Sequence, residues 1–462
     1  MIETDVIERV LAAGLTTGAE FAEIFAEDRT SQSTTFDDGK VDALSSSRER
    51  GAGIRVVSGH TTGFAYTSDL REDALLHAAR TAAAAAKGGG GTDRTVAIDA
   101  DRPTPVSTDA IDAAKADKIE LLGKAESAGR AAGKDIAQVT ASYAGTRRRI
   151  QIANSDGLLT GDDRWRTRFR VSAVALGDTG RQTGTGYVSR TQGFELFDEI
   201  DVEDLGREAS RHALSKLPAR PAPSGEMPVV IAAGGGAVLF HEACGHPLEA
   251  DAIERGASVF CGKVGERVAA EFVTLVDDGS MANMWGHIPV DDEGNPGRRN
   301  VLIDKGILTD YMWDRIRSRN ANRESSGNGR RQTYRHLPIV RMTNTFLENG
   351  PEDPDEIVRQ TDRGVYVAKL GGGQVNPATG DFVFGMTEAY MIENGQITHP
   401  LRQANLIGNG AEVLKRIDAV ANDFAMSPGG GMCGKAGQSA PVGMGQPTLR
   451  VSSMTIGGTA GA

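Results

Sequence analysis

Residues Val229 to Asp251 read VVIAAGGGAVLFHEACGHPLEAD. The segment opens as a β-branched strand, Val229 to Ala233, breaks on a glycine turn and continues as a short helix ending in HEACGH. A strand, a glycine turn and a helix also introduce dinucleotide-binding folds, but Leu239 stands where that fingerprint needs its third glycine. No G-x-x-x-x-G-K-[ST] run occurs elsewhere in the chain. The chemistry of the stretch therefore lies in the hexapeptide, His241 to His246.

Two neutral imidazoles can bind zinc, and a glutamate between them is placed to take a proton from water that the metal activates. In H-E-x-x-H the histidines are four apart and share a helix face. Here they are five apart, and a regular helix would splay them by roughly 140°. The helix must bulge, tighten or end inside the motif. Gly245 removes the side-chain barrier to unusual dihedrals, and Pro247 is expected to push His246 out of the helical region. The hexapeptide alone leaves one other reading, a helix end whose histidines cap carbonyls.

A third ligand is needed. Of the three cysteines, Cys244 reads as a small apolar filler, and Cys261 has no histidine or cysteine near it. Cys433 lies in SPGGGMCGKAGQSAPVGMGQP, where glycines let backbone approach a ligand and present a thiolate. Glu249, Asp251 and Glu254 follow the motif and are acidic alternatives. On residue chemistry the choice between Cys433 and a carboxylate stays open.

The segments HEACGHPLEAD, RMTNTFLENG, GGGQVNPATGDFVFG, EAYMIENGQITHP and MCGKAGQSAPVGMGQPTLRVSSMTIGGT occur in that order. Together they resemble the TldD branch of the TldD/PmbA peptidase family. The likeness is dense from about Pro228 onward and thinner before it, where RGAGIRVVSGHTTGFAYTSD also resembles the family. It implies His241, His246 and Cys433 as zinc ligands, one Zn2+ per chain, and Glu242 as the catalytic base. Every position of the motif is intact, unlike the motif-less PmbA branch. The resemblance further implies a peptidase acting on unfolded or leader peptides, held extended in a cavity between two related subunits. The second subunit would be a PmbA-type partner or a second copy of the chain. His336, Arg341 and Asn344 are candidates for stabilising a tetrahedral oxyanion.

Composition agrees with an enzyme of this kind. At 462 residues the chain exceeds one ordinary core, and two domains are expected. No apolar run approaches the roughly 20 residues a membrane helix needs. MIETDVIERVLAAGL is an amphipathic helix with early acids rather than a signal peptide, and three unpatterned cysteines fit a reducing compartment, so the cytoplasm is the expected location. A net charge of −11 argues against a nucleic-acid partner. The runs TRRRI, GRRN and NGRRQTYRH read as solvated edges or loops, the last also as a possible groove lining.

The fold expected is α+β in two domains: an N-terminal mixed α/β domain, 1–220, and a β-rich C-terminal domain, 221–462, carrying the metal-site helix. In the first, strands are expected at Phe21 to Ala26, Gly53 to Val57, Thr62 to Tyr66, Ile136 to Tyr143 and Arg147 to Asn154, with turns at Asp38-Gly39 and Ser58-Gly59. Helices are expected at Leu70 to Ala86, ended by Gly88 to Gly91, at Asp109 to Gly133 and at Val202 to Leu217, before the proline-rich PARPAPSG. In the second, Asp304-Lys305-Gly306 and Asn394-Gly395 mark hairpins. Such a β-rich domain can bind an extended peptide by adding it to a sheet edge. Two further classes compete: a non-catalytic, chaperone-like peptide-binding subunit, which needs no complete metal site, and a thiol enzyme using Cys433 with a histidine base.

Overall fold

A computed structural model describes residues 1–86, 95–100, 113–376 and 378–459. It is α+β, with 22% helix, 45% strand and a β-rich C-terminal half.

The N-terminal half is one mainly antiparallel sheet of seven strands. Its long strands are Phe21–Asp37, Lys40–Ser58, Ile136–Asn154 and Leu158–Gly177, flanked by Thr61–Thr67 and Gly180–Arg190. The turns form where glycine or asparagine-like residues allow positive φ, as at Asp38 (50°) and Gly39 (75°). Helices Thr4–Leu15 and Glu72–Ala85 pack through Leu11, Leu75 and Ala79 on Ala22, Ile24 and Ile54 of the sheet. Helices Lys115–Ala131 and Val202–Ser215 pack through Leu122, Ala125 and Ala209 on Val139, Phe169 and Val171. The Gly88 to Gly91 run and the start of the helix expected from Asp109 fall outside the described residues.

Two expectations change here. Phe21–Asp37 runs eleven residues beyond Ala26, through EDRTSQSTTFD, because ladders on both sides satisfy its backbone whatever its side chains are. Ile136–Asn154 is one strand where two were expected. Its arginines are not simply solvated: Arg148 is buried and bonded to Glu27 and Asp292, while Arg147 and Arg149 pair with Asp163 and Asp28. Arg330 and Arg331 of NGRRQTYRH are likewise buried, whereas Arg299 of GRRN is exposed and pairs with Glu348.

These arginines belong to the sheet's second face. Along FAEIFAE, Ala22, Ile24 and Ala26 enter the helix-covered core, while Glu23, Phe25 and Glu27 point the other way. That face is buried against the C-terminal half. Arg55 bridges Glu23 (2.7 Å) and Glu293 (2.8 Å), and Arg331 reaches Glu23 at 2.5 Å. Partners from both halves neutralise one another where lone charges would carry a large desolvation cost.

The C-terminal half has a second seven-stranded sheet, which includes Leu275–Asp278, Asn344–Leu347 and Gln438–Gln446, and an eight-stranded sheet, which includes Gly225–Ile231, Arg363–Val375, Asp381–Glu393 and Leu449–Gly457. Asn394 (φ 51°) and Gly395 (φ 71°) close the hairpin to Gln396–Arg402, as their sequence predicts, and Lys305-Gly306 (φ 44° and 81°) turns another. A single large apolar cluster joins residues of both sheets. Leu239, Phe240, Ala243 and Cys244 of the motif helix belong to it. Among the described residues no helix is long and apolar enough to cross a membrane.

Candidate metal centre

The strand Gly225–Ile231 hands over to the motif helix through Gly234 to Gly236, which lets the turn press against the neighbouring strand: a Cβ on Gly235 would lie 2.0 Å from the Ala368 carbonyl oxygen. Ala237–Phe240 is α-helical, His241–Gly245 is a single π turn and His246–Leu248 tightens to 3-10. The His246 amide donates to the His241 carbonyl, five residues back. In a wide turn of this kind residues i and i+5 stack as i and i+4 do in an α-helix, so the spacing that defeats a regular helix is what a π turn requires. The two imidazole centroids are 5.1 Å apart.

The dihedral roles expected of Gly245 and Pro247 are not the ones found. Gly245 (φ −64°, ψ −54°) and His246 (φ −58°, ψ −41°) are both helical, and the wide turn alone realigns the histidines. Gly245 is needed for space instead: a Cβ there would stand 2.1 Å from Sδ of buried Met342.

Cys433 sits on Gly431–Lys435, which pairs antiparallel with Gln438–Gln446, and it is buried. His241, His246 and Cys433 each offer a ligand atom, all within 4.8 Å of one another. Cys433 Sγ lies 3.2 Å from His246 Nε2. Burial pushes the thiol up, but its contacts with His241 and His246 overcome this and bring it down to about 4. Both ring nitrogens of His241 are buried without a hydrogen-bond partner. An imidazole placed this way is costly unless something ligates it. Two histidines and a thiolate suit zinc, and three protein ligands leave a fourth position open.

Behind His246, Nδ1 contacts Glu249 Oε2 at 2.8 Å, which turns Nε2 toward Cys433. Lys435 Nζ donates to the same Oε2 at 2.8 Å, to Asp251 at 2.6 Å and to the Val340 carbonyl at 3.0 Å. Burial would raise Glu249, yet His246 and Lys435 lower its carboxyl to about 2; burial lowers His246, but Glu249 and Cys433 hold it well above its ordinary value. Glu249 and Asp251 therefore act around the ligands, and Glu254 lies at Arg317 (3.3 Å). Lys435 was not picked out from sequence. The signal was there: in a strand it shares the face of Cys433, two residues earlier.

Glu242 is partly exposed, its Oε2 3.7 Å from His246 Nε2, and lines a cavity of about 580 Å3 with Gln374, Asn376 and Lys435. Cys244 is a buried filler whose thiol burial pushes up, and the Cys261 thiol donates to the Ile253 carbonyl at 3.6 Å. The oxyanion candidates are engaged elsewhere. Arg341 donates to the Cys433 and Gln438 carbonyls, Asn344 donates to the Asp278 carbonyl and accepts from Gly286, and His336 pairs with Thr333.

Models of the PmbA/TldA metallopeptidase match domain 1 at residues 22–86, the central domain at 109–217 and the C-terminal domain at 224–458. The chain belongs to the PmbA/TldD metallopeptidase family. It is 38% identical over 421 residues to a metalloprotease TldD homolog of Buchnera aphidicola, covering 89% of this chain and 87% of that one. A zinc metalloprotease TldD homolog of Saccharolobus solfataricus is 32% identical over 269 residues, 58% of this chain and 60% of the relative. The fold matches that of TldE from Thermococcus kodakarensis at TM-score 0.77 and 21% identity, over 98% of this chain and 99% of that one.

Proposed function

We propose that the chain is a zinc-dependent peptidase in which His241, His246 and Cys433 hold one zinc ion and Glu242 is the general base. The buried imidazole of His241 carries this reading: neither ring nitrogen makes a hydrogen bond, and its neighbours are the other two members of the ligand cluster, His246 and Cys433. Zinc held there supplies a Lewis acid that activates water and polarises a carbonyl. The protein's own part is proton transfer and orientation. Glu242, open to the 580 Å3 cavity, accepts the proton of the attacking water and passes it to the leaving amine. Glu249 fixes the imidazole of His246, and Lys435 fixes Glu249.

The substrate we infer is an unfolded or leader peptide, and the second subunit a PmbA-type partner or another copy. Domains 1–220 and 221–462 divide the work, the second carrying the ligands and the first backing them with its charged face.

A thiol nucleophile is favoured by the 3.2 Å Cys433–His246 contact, but Cys433 is buried and this reading does not require a second imidazole, His241, beside the same sulfur. A non-catalytic subunit does not require the intact ligand set. Metal analysis of the wild type, His246→Ala and Cys433→Ala tests the proposal: about one zinc per chain is expected, lost or sharply weakened in both variants. A wild type that takes up no zinc when supplied with it, or chelator-resistant hydrolysis, overturns it.

A further inference from the structure

On the far side of the Cys433 hairpin, between it and the charged face of the N-terminal sheet, lies a cavity of about 200 Å3. Five arginines line it, Arg29, Arg148, Arg166, Arg330 and Arg331, against one carboxylate, Asp292. Three of them have acids: Arg29 with Glu49, Arg148 with Glu27 and Asp292, and Arg331 with Glu23. Among the described residues Arg166 and Arg330 form no ion pair; carboxylates act on them only at longer range, Asp162 on Arg166 and Asp292 and Asp277 on Arg330.

Arg166 is 8% exposed and donates only to the Trp285 and His287 carbonyls, both at 3.3 Å. Arg330 is 3% exposed and donates only to the carbonyls of Met342 and Pro441. Nη1 of buried Arg331 has no partner at all. Burial lowers Arg166 and Arg330; neighbouring guanidinium groups lower them further, and Asp162 for Arg166 and Asp292 for Arg330 offset this only in part. Two buried cations that touch only carbonyls, with carboxylates too distant to pair, are unfavourable, and an anion in the cavity would complete the site.

The cavity is connected to the metal centre through Met432. Successive residues of a strand point to opposite faces, so Cys433 turns to the histidines while the half-exposed Met432 turns to the arginines. Met432 also borders a larger cavity of about 740 Å3, lined by Val238 at one end of the motif helix and by Arg168, Arg170 and Lys369. An extended chain lying along this space would bring an acidic group to Met432, at the edge of the arginine cavity.

We propose that the arginine cavity is an anion subsite for a carboxylate of the bound peptide, supplied by its C-terminus or by an aspartate or glutamate side chain. The choice of a peptide as donor rests on the peptidase reading; the anion site itself does not. Paired guanidinium groups match a carboxylate in shape and charge.

The test uses one fluorescent peptide in four forms, with a free or amidated C-terminus crossed with a central Glu or Gln. Binding is measured by anisotropy on the zinc-loaded Glu242→Gln chain and kcat/KM on the wild type. At least one carboxylate is expected to improve binding and kcat/KM about tenfold, and the form that carries the gain identifies its source. Arg166→Gln should reduce the gain of the charged over the uncharged form to within about twofold. Arg330→Gln, with zinc content checked because Arg330 also holds the Cys433 hairpin, gives a second readout should the first variant fold poorly. Binding indifferent to both carboxylates, or a preference that survives both substitutions in folded protein, overturns the subsite. If the binding preference holds and vanishes with Arg166 while no form is cleaved, the subsite stands and the peptidase reading falls.

Discussion

Glu249→Gln and Glu249→Ala separate the charge behind His246 from its shape. Oε2 of Glu249 takes both contacts, to His246 Nδ1 and Lys435 Nζ, each at 2.8 Å, whereas Oε1 has no hydrogen-bond partner. A glutamine can put its carbonyl oxygen in the place of Oε2 and its amide nitrogen in that of Oε1, keeping both contacts without the charge. Neutral hydrogen bonds are about half as strong as charge-assisted ones, a loss of about 1 kcal/mol each. Only the contact to His246 acts directly on a ligand, so zinc affinity should fall about fivefold. Alanine leaves Nδ1 unpaired and should weaken zinc about a hundredfold, the upper end for groups of this kind. Lys435 keeps Asp251 at 2.6 Å in both variants, so the hairpin stays anchored. Glu249 also favours the protonated imidazole with which zinc competes, and the loss should therefore be smaller in mildly acidic than in mildly alkaline buffer. Competition with a chelator measures the affinities, and melting of the metal-free proteins reports damage to the fold. An alanine variant binding zinc within about twofold of wild type, with an unchanged melt, refutes the orienting role of Glu249.

Glu242→Gln should keep the zinc and the fold but lower kcat by about 100-fold or more, read by metal analysis and peptide turnover; full activity removes the carboxylate from the mechanism. In metal-free protein the thiolate absorbance of Cys433 should titrate near 4 rather than near 9. Because the folded value is the lower one, the thiolate's contribution to stability is complete above about 9 and is lost as pH falls through about 4, so melts of metal-free wild type and Cys433→Ala should diverge across that window. Gly245→Ala forces a methyl against Met342 and should cost about 1–3 kcal/mol in denaturant unfolding, with partial recovery in the double variant Gly245→Ala/Met342→Ala.

The motif was legible because its chemistry and its geometry both sit in one hexapeptide. Five-residue spacing demanded an irregular helix, and a π turn is one of the few ways to provide it. Hairpins at Asp38-Gly39 and Asn394-Gly395 were equally legible, since positive φ at two successive residues restricts the sequence. What escaped was the second face of the N-terminal sheet. Alternating Glu and Arg in strands usually signals water, and Glu23, Glu27, Arg55 and Arg148 obey the alternation while facing a partner half. No periodicity distinguishes a charged face that meets solvent from one that meets complementary charge; only the long-range pairing does. For the same reason Arg330 and Arg331 read as loop residues although both are buried.

The position of Cys433 shows why the third ligand stayed open on residues alone. Nothing local links it to His246, 187 residues earlier. The structure makes the link with cations that hold backbone rather than with apolar packing alone. Arg341, fully buried, grips the carbonyls of Cys433 and Gln438 on the two strands of the hairpin. Arg330 holds Pro441, directly opposite Met432, and Lys435 ties the hairpin's end to Glu249 beside the motif. Backbone carbonyls are present whatever the side chains, so this anchoring leaves no pattern in the hairpin's own sequence beyond Lys435. Its glycines and small residues are what a hairpin needs when buried guanidinium groups must reach its main chain from outside. The arginines that place the thiolate and those that line the anion cavity thus approach the same hairpin, and its register is the element through which a change in the cavity would be felt at the metal ligand.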